Sequence, residues 1–303
     1  MGRQTGLHQF YGITIWHIMY TMKTTEGAQS IRRAAALLRI VAMGGDRGAS
    51  LTSVAQVSGL HKATTHRILR VLFEEGLLEF DEGSKHYRVG AEIYALSRAM
   101  SEKFDIGAIA QPSLEKLCRD SGDTVYFAVR SGYDGLCLGM AEGSYPEKAL
   151  RLSLRDRWPL GVGAFSMALL AFLPDGEVTD IVRHNTARLA DLDQYTEARL
   201  LDQVAETRKL GYAVTQILTY PATCAVGVPV CDPHGRPIAS LCITAVASRM
   251  DDARRRQLAR KMKDEAAAIA ATWSALRGGS GGDSWQDVAH AVRSVKAGAA
   301  PSK

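Results

Sequence analysis

Between Ser30 and Ala42 the apolar residues Ile31, Ala34, Leu37, Leu38 and Val41 recur at helical spacing, while Arg32, Arg33 and Arg39 fall elsewhere. This predicts an amphipathic helix with Ser30 as its N-cap. The glycine-rich run from Met43 to Ala49 breaks the pattern. A short helix from Leu51 to Val57 follows, then a tight turn at Ser58-Gly59-Leu60, then a third helix from Lys62 to Glu75 that stops at Gly76. In that third helix Ile68, Leu69, Val71, Leu72 and Phe73 crowd the second half, and the first half carries no acidic residue. Leu77–Asp81 and His86–Val89 alternate in part around Gly83 and predict a β-hairpin. Helix, helix, turn, helix, hairpin is the order of a winged helix-turn-helix. Ala55 and Gly59 supply its small residue and its turn.

A helix from Ala91 to Ser101 is placed to connect this unit to the rest, and a longer one from Ile106 to Ser121 begins a second unit. From Thr124 the period shortens to two. Thr124–Arg130, Gly135–Met140 and Leu150–Arg155 read as strands, and Pro159-Leu-Gly-Val-Gly-Ala leads into an apolar helix, Phe165 to Phe172. Helices are predicted near Gly176–Arg183 and Tyr195–Lys209. Strands are predicted near Tyr212–Ile217, Cys224–Cys231 and Ile238–Val246, and a basic amphipathic helix near Asp251–Leu276. The expected class is α+β, with an N-terminal winged helix-turn-helix, a helical linker and a C-terminal α/β domain whose sheet is mixed or antiparallel. The expected divisions are a disordered extension at 1–25, the DNA-binding unit at 26–90, the linker at 91–105, the ligand-reading domain at 106–277 and a flexible tail at 278–303. Met22 offers an alternative translation start, because the organised pattern begins just after it.

The length of 303 residues suits two domains, and 46% hydrophobic with 23% charged residues is a globular balance. A formal charge of +5 is compatible with nucleic acid and equally with a plain solvated surface. The five cysteines, Cys118, Cys137, Cys224, Cys231 and Cys242, are odd in number and contain no C-x-x-C, so they read as reduced thiols in a cytoplasmic protein, with no structural metal. No apolar run reaches the ~20 residues that a membrane helix needs, so no membrane partner is expected. The sequence calls for no cofactor. It shows no G-x-S-x-G, P-loop or HExxH, and an enzyme using Cys224 as nucleophile is the weakest alternative. The DNA major groove asks a recognition helix for hydrogen-bonding and cationic side chains near its N-terminus. Lys62, Thr64, Thr65, His66, Arg67 and Arg70 meet that demand, and Lys85 and Arg88 on the wing are placed to reach phosphates. The competing reading is a winged helix that meets protein in a sensor or scaffold, with these cations merely solvated.

Taken in order and spacing, a set of fragments resembles the IclR (isocitrate lyase regulator) family of bacterial transcription regulators over about residues 26–277. In the first half these are Gln29-Ser-Ile-Arg-Arg-Ala-Ala-Ala-Leu-Leu, Ser53-Val-Ala-Gln-Val-Ser-Gly-Leu, Thr64-Thr-His-Arg-Ile-Leu-Arg-Val-Leu and Tyr87-Arg-Val-Gly. In the second half they are Pro159-Leu-Gly-Val-Gly-Ala, Gly211-Tyr-Ala-Val, Val226-Gly-Val-Pro-Val-Cys-Asp-Pro-His-Gly-Arg and Ser240-Leu-Cys-Ile-Thr-Ala. The resemblance implies a GAF-like effector domain, a homodimer or homotetramer on palindromic double-stranded operator DNA, and a small organic acid as effector. It also implies that Gly163, Ala164, Phe165, Cys224, Cys242 and Thr244 line the effector cavity. Bare N–H groups at a helix N-terminus suit a carboxylate. Thr215-Gln216-Ile217 replaces the acidic residues usual after Gly-Tyr-Ala. With bulky Phe165, this points to a less polar pocket and an aromatic ligand. Core packing is the plainer role for the cysteines.

Overall fold

The computed structural model describes residues 28–98, 106–145, 152–190, 192, 194–216 and 223–278. The N-terminal extension, the second half of the linker, the start of the strand expected at Leu150 and nearly all of the C-terminal tail lie outside the described residues.

The first unit comprises α1 (Gln29–Met43), β1 (Ala49–Ser50), α2 (Leu51–Ser58), α3 (Lys62–Glu74), β2 (Leu78–Asp81), β3 (His86–Val89) and α4 (Ala91–Arg98). Two details of α1 differ from expectation. The N-cap falls two residues earlier, at Ala28 and with no side-chain cap, so Ser30 lies in the first turn. Its buried stripe is Ala36, Leu37, Ile40 and Val41, while Ile31 is 70% exposed. Against this stripe pack Val54 of α2, Leu69 and Leu72 of α3, and Leu78 and Tyr87 of the hairpin. Ser50 ends β1 and caps α2 by accepting from Ser53 N–H at 3.1 Å. Gly59 closes α2 in the left-handed conformation. The hairpin pairs Leu78 with Val89 and Asp81 with His86, and β1 adds a third strand on β3.

The second unit comprises α5 (Ile106–Ser121), β4 (Thr124–Ser131), β5 (Asp134–Ala141), β6 (Arg157–Pro159), α6 (Ala164–Ala171), α7 (Asp175–Arg188), α8 (Glu197–Leu210), β7 (Ala213–Gln216), β8 (Thr223–Cys231), β9 (Pro237–Val246) and α9 (Asp252–Gly278). The strands form one sheet in the order β6-β5-β4-β9-β8-β7, and every neighbouring pair is antiparallel. The strand expected at Leu150–Arg155 is not formed by its described residues. Ser153 to Asp156 make a turn in which Ser153 N–H donates to Asp156 Oδ2 at 2.8 Å, and the strand falls just after it as β6.

Alternation along the strands divides two cores. Val125, Phe127, Leu241 and Ile243 face α5 and α9. Tyr126, Ala128 and Cys242 face α6, with α7 and α8 beyond it. All eight residues of α6 are buried, as an evenly apolar helix between a sheet and an outer helix requires. Its close seat depends on two glycines. A Cβ at Gly227 would stand 2.3 Å from the Ala164 carbonyl oxygen, and one at Gly135 would stand 2.7 Å from the Phe165 ring. Gly227→Ala is therefore expected to push α6 off the sheet and lower unfolding stability by about 1–3 kcal/mol, read from denaturant midpoints. An unchanged midpoint would show that the contact yields without strain.

Candidate functional site: a nucleic-acid interface and a ligand pocket

On α3 the core takes Thr65, Leu69 and Leu72, so the residues between them turn outward. Lys62, His66, Arg67 and Arg70 are exposed and Thr64 is half-buried. Thr65 corrects expectation. It is fully buried, and its hydroxyl donates to the His61 carbonyl at 3.2 Å, so its side chain serves the helix and not a groove. Lys62, His66 and Arg67 form no ion pair among the described residues. Arg70 pairs with Glu74 at 2.7 Å in an exposed i,i+4 contact, which is weak and yields readily to a phosphate. Each wing cation also has an acid nearby, Lys85 with Glu82 at 2.6 Å and Arg88 with Asp81 at 2.9 Å. Both are surface pairs of the same weak kind, and neither involves the cations of α3. Arg67 and Lys62 are therefore the exposed cations of α3 that have no carboxylate partner among the described residues.

In the second unit, Gly163 is the N-cap of α6, at φ 80, where glycine is favoured and no side chain closes the helix end. The first N–H groups of α6 are left to other acceptors. Cys242 shares one core with Ala164 and Phe165, and Thr244 Oγ1 lies 3.8 Å from its sulfur. Gly163, Ala164, Phe165, Cys242 and Thr244 therefore converge. Burial, outweighing the hydrogen bonds from Thr244 and the Phe165 amide, pushes the Cys242 thiol up to about 12. Cys137 on the adjoining wall is also pushed up to about 12, by burial and then by Asp156. These are neutral thiols, acting as polar packing groups.

Cys224 is the second correction. On β8 it faces the other way, packing with Val226, Ile243 and Ala245 on the α9 side of the sheet. Its thiol is also raised, mainly by burial. Sequence reading missed the aromatic wall. Trp158 of β6 stands 6.0 Å from Phe165, and the buried Tyr126 hydroxyl accepts from Leu152 N–H at 3.3 Å. Alternation along β4 would have placed Tyr126 on this face, whereas β6 was not anticipated. The Gly161–Gly163 turn also borders an open cleft of about 570 Å3, lined by Tyr195, Arg199, Thr215 and Arg255 among others. No local motif marks these residues, because the cleft is assembled from α8, the edge strand β7 and the start of α9. The described residues include no cluster of metal-ligand type and no helix long and apolar enough to cross a membrane.

A winged helix-turn-helix followed by a separate α/β domain with a polar niche at a buried helix N-terminus defines a helix-turn-helix transcription regulator. Residues 30–82 match the IclR helix-turn-helix domain, and residues 98–271 match the bacterial transcriptional regulator IclR C-terminal domain. The chain belongs to the IclR family. It is 30% identical over 228 residues to the glycerol operon regulatory protein of Streptomyces coelicolor, covering 73% of this chain and 86% of that protein. It is 27% identical over 244 residues to the transcriptional repressor IclR of Escherichia coli, covering 77% and 86% respectively. In fold it resembles the crystal structure of an IclR transcriptional regulator from Alicyclobacillus acidocaldarius, with TM-score 0.62 and 24% identity over 82% of this chain and 100% of that one.

Because Thr65 is internal, Thr65→Ala is expected to lower stability by about 1 kcal/mol, read by thermal or chemical unfolding, with DNA affinity unchanged under conditions where the variant is folded. A loss of DNA affinity at undiminished stability would return Thr65 to the interface.

Proposed function

We propose that the protein is a ligand-responsive regulator of a catabolic operon, binding double-stranded operator DNA as a homodimer or homotetramer and releasing or engaging it on binding a small organic acid. The observation that carries the DNA half is the outward face of α3, where Lys62, His66 and Arg67 stand exposed beside Arg70 with no acid in the first turn. In this reading Thr64, His66, Arg67 and Arg70 enter the major groove, and Lys62, Lys85 and Arg88 meet phosphates. Relatives named as regulators of glycerol and acetate operons support control of a catabolic operon.

The ligand half rests on the α6 N-terminus. Gly163 and Ala164 offer main-chain N–H groups to a carboxylate, and Cys242 and Thr244 offer neutral polar groups beside them. Phe165, Trp158 and Tyr126 make the surroundings aromatic, which favours an aromatic acid over a short polar one. The raised thiols of Cys224 and Cys242 oppose a role in nucleophilic catalysis, which needs a thiolate.

Mobility-shift titrations against the DNA flanking the protein's own gene test the first half. Arg67→Ala is expected to weaken binding by about 1–3 kcal/mol if Arg67 reads a base, or to reduce the slope of log affinity against log salt by about 1 if it meets a phosphate. Unchanged affinity and slope remove Arg67 from the interface. Calorimetry with benzoate and with acetate tests the second half. Benzoate is expected to bind the wild type and not Cys242→Phe, whereas tight binding of acetate alone would contradict the aromatic reading.

A further inference from the structure

The two units meet where α1 lies against the second unit. Arg155 donates from Nη1 to the Ala42 carbonyl oxygen at 3.2 Å. Ala42 belongs to the last turn of α1, where carbonyls lack helical partners and the helix dipole is negative. The last turn of α1 has no basic residue of its own. Arg155 thus supplies, from the other unit, the cation that this helix end lacks.

Arg155 itself is held in an uncommon conformation. Its φ of 76 places it in the left-handed region, which a non-glycine residue enters only when its surroundings impose it. Those surroundings belong to the core that holds the head of α6. Arg155 N–H donates to the Cys137 carbonyl at 2.8 Å, and Cys137 N–H donates to the Asp156 carbonyl at 2.9 Å. Leu152, at the start of the same turn, donates its N–H to the Tyr126 hydroxyl, and Cys137, Tyr126, Phe165 and Cys242 share one core. The turn is therefore fastened to the ligand niche at its base and to α1 at its tip.

A buried charge cluster lies alongside. Asp134 accepts from Arg188 at 2.8 Å and has Arg157 at 3.6 Å. The half-buried Arg39 of α1 faces the same group. Burial presses its ionisation down, Arg157 adds to that, and Asp134 opposes both. Arg157 opens β6, which runs through Trp158 directly into the Gly161–Gly163 turn at the head of α6.

We propose that Arg155 is the positioning residue that couples the ligand niche to the DNA-reading unit, by capping α1 from a turn whose strained backbone is set by the niche wall. A ligand that shifts Cys137 or β6 loosens or tightens this cap and re-aims α3, which packs on α1. The proposal rests on the DNA-reading role assigned to α3.

Coupling is reciprocal, so DNA can report on it without a known effector. The test is hydrogen exchange of the full-length protein, with and without the DNA flanking its gene, beside a mobility shift on the same samples. Without DNA, Arg155→Ala is expected to raise exchange at residues 41–48 about tenfold, with Arg155→Lys nearer wild type. With DNA, exchange at residues 152–157 is expected to change in the wild type and to stay unchanged in Arg155→Ala, although Arg155→Ala still shifts the DNA. A mobility shift with no exchange change at 152–157 in the wild type, or the same change in Arg155→Ala, overturns the coupling alone. The absence of any shift with wild type overturns the DNA-reading role and the coupling with it.

Discussion

A helix can lie directly on a β-strand only where the strand lacks a side chain, and the arrangement of the ligand-reading unit depends on that constraint at Gly227. The Ala164 carbonyl occupies the space a Cβ would take, so the first turn of α6 rests on β8 itself. Gly135 admits the Phe165 ring on the other side in the same way. With α6 pressed so close, Gly163, Ala164 and Phe165 are buried, and the leading N–H groups of the helix need partners. A charged cap would have filled this end permanently. Gly163 caps this end without a side chain, and the neutral Cys242 thiol lies in the same core.

A buried polar frame keeps the niche in register with the outer helices. Asn185 of α7 donates to the carbonyls of Tyr133 and Leu160, at 2.9 and 3.0 Å, and Arg188 joins Asn185 and Asp134, each at 2.8 Å. These contacts tie α7, the β4–β5 turn and the approach to α6 into one body. Losing one partner of such a buried pair leaves the other charge uncompensated, so the frame defines a single geometry even where its net energy is small. It also lies where α1 of the DNA-reading unit comes in. One set of charges therefore serves both the interior of the second unit and its contact with the first.

Much of this was legible in the sequence. The helix order, the hairpin, the acid-free head of α3 and the period change at Thr124 each follow from local pattern. The errors have physical causes. The alanine run of α1 carries little hydrophobic contrast, so the stripe could be drawn through Ile31 when the buried one runs through Ala36, Leu37, Ile40 and Val41. A two-residue strand such as β1 has no period to detect. Leu150 to Arg155 alternates as a strand should, but Arg155 is left-handed and the chain turns there. Thr65 lies four before Leu69 and seven before Leu72, a helical core spacing that its polar side chain concealed. Cys224 was assigned to the cavity by resemblance, and strand parity on β8 puts it on the opposite face. The aromatic wall and the cleft beside β7 join residues far apart in the chain, which no single window brings together.

Whether α3 reads operator DNA is tested most directly by a footprint of the purified protein on the DNA flanking its own gene. A protected segment is expected with two related halves spaced by about one helical turn, roughly 10 base pairs, or a multiple of it, as a symmetric pair of recognition helices requires. Protection should fade as salt rises. Uniform or absent protection at every protein concentration and salt would contradict it, and would mean that the exposed cations of α3 meet something other than an operator.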